Sequence, residues 1–91
     1  MATLSPTRKR ILITGCSSGI GLHCAKRLKD DGWLVVATAR NDNDLSMLRG
    51  LGIVAVYLDY SDEASIKSCF DETMGITNGV VDALFNNGAY G

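Results

Sequence analysis

Apolar residues along this chain fall into short unbroken runs, separated by longer stretches in which they recur every three or four positions. The first run, Ile11-Leu12-Ile13, ends at Thr14-Gly15 and has the profile of a strand buried on both faces. Ser17-Ser18-Gly19 then opens a stretch with Ile20, Cys24, Ala25 and Leu28 at helical spacing, and Asp31-Gly32 ends it. Trp33 to Ala39 predicts a second buried strand. Asn41 to Asp44 offers several helix N-caps, followed by Leu45, Leu48 and Leu51 at helical spacing, with Gly52 as the stop. Ile53 to Leu58, rich in β-branched residues, predicts a third strand. Ser61-Asp62-Glu63 caps a third helix, for which Ile66, Phe70 and Met74 form the expected buried stripe. Thr77-Asn78-Gly79 is turn chemistry, and Val80 to Phe85 contains a fourth strand. The order βαβαβαβ implies an α/β fold with a parallel sheet, right-handed crossovers and helices on its faces.

Ninety-one residues with 46% hydrophobic content suit one small globular domain, or part of one, and no repeat or linker divides the chain. Met1 to Thr7 is polar with a single proline, so residues up to about position 8 are expected to form a flexible leader. A net charge of −1 with mixed signs gives no electrostatic reason to expect nucleic acid or a membrane as partner. The one basic run, Arg8-Lys9-Arg10, reads as a solvated strand entrance. Cys16, Cys24 and Cys69 form no CxxC pair, and the only histidine is His23, so neither a metal site nor a disulfide framework is expected. That cysteine usage fits a reducing cytoplasm. Ile13-Thr14-Gly15-Cys16 looks like a lipoprotein cleavage box, but the apolar run before it is far short of the about 7–15 residues that export requires.

Candidate chemistry concentrates at the junction of the first strand and first helix. In Thr14-Gly15-Cys16-Ser17-Ser18-Gly19-Ile20-Gly21, Gly15 permits the sharp exit from the strand. Gly19 lets a pyrophosphate approach the free amides at the helix start, and Gly21, one turn before Ala25, allows close packing on the sheet. The spacing GxxxGxG departs from the dinucleotide fingerprint GxGxxG, yet it lies in the strand–loop–helix context such a motif needs.

Thr14-Gly-x-x-x-Gly-Ile-Gly21 resembles the signature of the short-chain dehydrogenase/reductase family, and the resemblance runs from about Arg8 to Gly91. It implies a Rossmann-type, doubly wound fold, here truncated, with a nicotinamide cofactor and hydride transfer to or from a small carbonyl or alcohol substrate. Gly15, Ser17, Ser18, Gly19 and Ile20 are then the loop's cofactor-binding candidates. Leu58-Asp59-Tyr60 resembles the family's stretch after the third strand, where the aspartate side chain and the next residue's backbone meet the adenine; the alternative for Asp59 is a plain turn or capping acid. Asn86-Asn87-Gly88-Ala89 resembles the family's Asn-Asn-Ala-Gly with the last two residues exchanged. The asparagines are expected to brace the central strands and line the adenosine ribose, so Asn87 and Gly88 join the candidates.

Dinucleotide folds that prefer NAD carry an acid at the end of the second strand, whereas an arginine nearby accommodates the 2′-phosphate of NADP. Here Ala39 stands in the acid's place and Arg40 follows, so NADP is expected over NAD. Asp42 is the rival for the ribose, but it lies further into the loop.

The family's catalytic serine and Tyr-x-x-x-Lys pair lie beyond the Asn-Asn element, and no lysine stands four residues after Tyr57, Tyr60 or Tyr90. No catalytic residue is therefore assigned. The chain reads as the front part of an NADP(H)-dependent oxidoreductase, inactive alone; the alternative is a nucleotide-binding module without catalysis. The expected strand order 3-2-1-4 leaves strand 4 as an apolar edge, so the isolated chain is expected to be marginally stable or to self-associate through that edge. Cys16 is read as a small loop residue rather than a nucleophile, and His23 as a surface residue.

Overall fold

In a computed structural model, residues 8–17 and 19–87 are described. Four strands and three helices alternate: β1 (Arg10–Thr14), α1 (Gly19–Asp30), β2 (Leu34–Ala39), α2 (Asp42–Gly50), β3 (Val54–Tyr57), α3 (Glu63–Thr77) and β4 (Ala83–Asn86). The strands form one parallel sheet, as the pattern predicts, in the order β3-β2-β1-β4 that the family resemblance implies. Register sets Ile13 beside Ala37 and Phe85, and Ala39 beside Tyr57. This aligns the C-terminal ends of all four strands along one rim.

The continuous apolar runs follow from burial on both sheet faces. Ile11, Ile13, Val35, Ala37, Ala39 and Ala55 point to one side and join Ala25 of α1 with Leu45 and Leu48 of α2. Val36 and Val56 point to the other, where Cys69 of α3 packs on them with Leu12 and Leu58 alongside. The basic run enters the sheet quietly. Arg8 Nε donates to the Gly32 carbonyl, and the Lys9 ammonium lies 5.7 Å from the centre of the Trp33 ring.

The helix ends are built as their residues suggest. Asn41 accepts from the Asp44 amide to cap α2, and Asp62 accepts from the Ala64 amide to cap α3. Asn78 takes the left-handed conformation at the end of α3, with φ 59°.

The expected stripe of α3 requires correction. Ile66 and Phe70 are exposed, at 42% and 60%, while Ser65, Cys69, Thr73 and Thr77 are buried. The helix turns its small side chains to the sheet, which lets its backbone approach closely. Ser65 fixes that rotation, because its hydroxyl bonds the carbonyls of Asp59 and Asp62 at the helix entrance. At the ends of the other helices, Ile20 and Leu51 are also exposed despite their helical spacing, at 67% and 40%. Trp33, Ile53 and Leu58 fall just outside the strands expected to contain them. The expected leader lies outside the described residues except at Arg8.

Candidate functional site

The loop between β1 and α1 sits at the middle of the C-terminal rim, fastened from both sides. Gly15 leaves the strand with φ 69°, a value a side chain would resist. Its amide donates to Thr38 Oγ1 at 3.2 Å, and the next amide, that of Cys16, donates to the Thr38 carbonyl at 2.9 Å. These bonds hold the loop against the end of β2. From the β4 side, Asn87 Nδ2 donates to the Gly15 carbonyl at 3.0 Å, and Thr14 Oγ1 donates to Asn86 Oδ1 at 2.9 Å. The two asparagines therefore clamp β1 and its loop to β4.

The glycines divide the work between openness and closeness. Gly19 starts α1 with φ 65°, and a Cβ placed there would meet nothing within 4 Å. The backbone at that point is open to an approaching group. Gly21 is the reverse, since its Cβ would lie 2.5 Å from both the Gly15 carbonyl oxygen and Asn87 Nδ2. The first turn of α1 carries no acidic side chain, so nothing on the helix opposes an anion at its positive end.

Arg40 follows β2 directly and is exposed, while Ala39 is buried in the core. Asp59 follows β3 on the same rim. Its Oδ1 accepts from the Ser61 hydroxyl at 2.7 Å and the Ser61 amide at 3.0 Å. Those bonds, with a smaller contribution from the Arg40 guanidinium, hold its carboxyl below the usual range. Tyr60 reaches across the rim to Asn86 and Thr14.

The short chain dehydrogenase family profile matches residues 9–91. The chain belongs to that family. It is 37% identical over 84 residues to the uncharacterized oxidoreductase YbbO of Escherichia coli strain K12, covering 92% of this chain and 31% of the relative. Its fold superposes on an actinorhodin polyketide ketoreductase with NADPH at TM-score 0.76 and 30% identity, over 91% of this chain and 34% of the other. A 3-ketoacyl-(acyl-carrier-protein) reductase from Brucella melitensis complexed with NADH gives 0.74 and 33%, over 84% and 32%. The chain thus spans about a third of the length of these proteins. Among its described residues no helix is long and apolar enough to cross a membrane.

The dehydrogenase fold brings Gly15, Ser17, Gly19, Ile20, Arg40, Asp59, Tyr60 and Asn87 to one rim; Ser18 and Gly88 lie outside the described residues. Asp59 makes the turn contacts that its plain reading implies. Sequence reasoning missed Thr38, which fastens the loop through both its hydroxyl and its carbonyl, and the reach of the Tyr60 hydroxyl. The only signal for Thr38 was a hydroxyl near the end of an otherwise apolar strand.

Cys16 is buried, its thiol donating to the Ile13 carbonyl at 3.2 Å, so it is a packing residue within the loop. Burial raises its pKa from 9.0 to about 11. A raised value in the folded state favours folding below the unfolded value, and that contribution fades as pH rises. Urea-unfolding stability should therefore decline between about pH 9 and 11, and Cys16→Ser should lose part of that decline. An identical alkaline profile in the variant would contradict this.

Proposed function

We propose that this chain is the cofactor-binding part of an NADP(H)-dependent oxidoreductase that moves hydride between the cofactor and a small carbonyl or alcohol. The observation that carries the reading is the glycine loop opening α1 beside an exposed Arg40, with Ala39 where an NAD-preferring chain would carry an acid. The residues present fit a dinucleotide. The open backbone at Gly19 and the acid-free first turn of α1 suit its pyrophosphate, which Gly15, Ser17, Gly19 and Ile20 would hold. Arg40 suits a 2′-phosphate, as a guanidinium is a fork of fixed donors. Asp59, Tyr60 and Asn87 are assigned to the adenosine end, and Ser18 and Gly88 belong to the same assignment by their sequence positions.

When bound, the nicotinamide supplies or accepts the hydride. In this reading the chain's own residues bind the cofactor, and proton transfer to substrate is assigned to residues outside these 91, since no Tyr-x-x-x-Lys pair occurs among them. The chain is read as one part of a larger domain and as inactive alone. Its free cysteines suit the cytoplasm. The functional test is the affinity of the chain for NADPH against NADH, where preference for NADPH supports the reading and indifference opposes it.

Among the described residues strand β4 pairs on one side only, with β1, and Leu84 on its α3-side face is 63% exposed. The chain by itself is expected to self-associate through that edge. Sedimentation should reveal oligomers that grow with concentration, and a monomer throughout would refute the expectation.

A further inference from the structure

The phenol of Tyr60 makes a contact that binding through its backbone does not require. Its hydroxyl lies 2.8 Å from Asn86 Oδ1 and 3.0 Å from Thr14 Oγ1, and the latter two are 2.9 Å apart. Three oxygens from three strand exits thus close a triangle on the rim. We propose that Tyr60 is a positioning residue for nucleotide binding, its hydroxyl fixing the orientation of the Asn86 carboxamide. The proposal rests on the dinucleotide reading above and adds a side chain to it.

The chemistry follows from counting donors. Thr14 and Tyr60 each have one hydroxyl hydrogen, and the carboxamide oxygen of Asn86 can accept two hydrogen bonds. With both hydroxyls directed at that oxygen, the amide nitrogen is turned the other way. Asn86 is exposed, and in this proposal its two N–H groups are the donors offered to a ligand acceptor at the rim. Without the phenol hydroxyl, Thr14 alone among the described residues would distinguish the two orientations of the amide. A flipped amide would put an acceptor where a ligand oxygen needs a donor. The same hydroxyl also ties the β3 exit to the glycine loop. Thr14 leads into Gly15, and Asn86 leads into Asn87, which holds the Gly15 carbonyl.

The test compares the chain with its Tyr60→Phe variant in calorimetric titrations with NADPH, alongside NMR of the Asn86 side-chain amide in both. Phenylalanine keeps the ring and removes only the hydroxyl. The expected result is binding about tenfold weaker in the variant, the effect of one net hydrogen bond of about 1.4 kcal/mol. The Asn86 amide signals should also shift in the ligand-free variant, which a general loosening of the fold would not confine to one side chain. Binding by the parent with equal affinity in Tyr60→Phe overturns the role of Tyr60 alone. Failure of the parent to bind NADPH overturns the functional reading and this role with it.

Discussion

Replacing Gly21 with alanine should destabilise the fold and weaken nucleotide binding together. The new methyl group would sit 2.5 Å from the Gly15 carbonyl oxygen and 2.5 Å from Asn87 Nδ2, with Asn87 Cγ at 3.3 Å. A side-chain end can swing aside, but the carbonyl belongs to the backbone of the cofactor loop. Relief therefore requires α1 to move outward, away from the sheet, or the loop to open and release the bond from Asn87 to Gly15. Overpacking of this kind costs about 1–3 kcal/mol. Alanine's better helix propensity returns less than about 1 kcal/mol of it. Gly75→Ala is the internal contrast, because that helical glycine has nothing within 4 Å of a Cβ. It should be neutral or stabilising, by up to about 1 kcal/mol. Urea midpoints for the two variants check the pair, and a Gly21→Ala chain as stable as Gly75→Ala would refute the packing argument.

Arg40→Ala should separate the two nicotinamide cofactors. A hydrogen bond to a charged group contributes about 1.5–3 kcal/mol, so NADPH affinity should fall by about 10- to 150-fold. NADH lacks the 2′-phosphate and should bind the variant much as it binds the parent. Position 39 is not an equally simple handle. Ala39 is 4% exposed, so an aspartate there would bring a carboxylate to the margin of the core. Parallel titrations with the two cofactors decide the matter, and equal losses for both would remove Arg40 as the discriminating residue.

Much of this could be read from local pattern. The strands were legible because sheet burial on both faces writes itself as unbroken apolar runs such as Leu34 to Ala39, whereas their order in the sheet followed from the family resemblance. The caps at Asn41 and Asp62 were legible because capping depends on neighbours two or three residues away. The buried face of α3 was not. A helix with apolar residues at 66, 70 and 74 and small ones at 65, 69 and 73 offers two adjacent faces, and the choice was made by the Ser65 hydroxyl at the helix entrance and by the packing of Cys69 on the sheet. At the site, the glycine loop and Arg40 stood out by residue type and position. Thr38 and the Tyr60 hydroxyl did not, because their partners are distant in sequence, 46 residues for Tyr60 to Thr14 and 26 for Tyr60 to Asn86. Such contacts exist only once the strand ends have been aligned by the sheet.

The central claim is that this chain carries a nicotinamide dinucleotide site reading the 2′-phosphate. Calorimetric titration of the unmodified chain with NADPH and, separately, with NADH tests it most directly. Saturable binding that favours NADPH is the predicted result. Equal affinity for the two, or no binding of either, would contradict it.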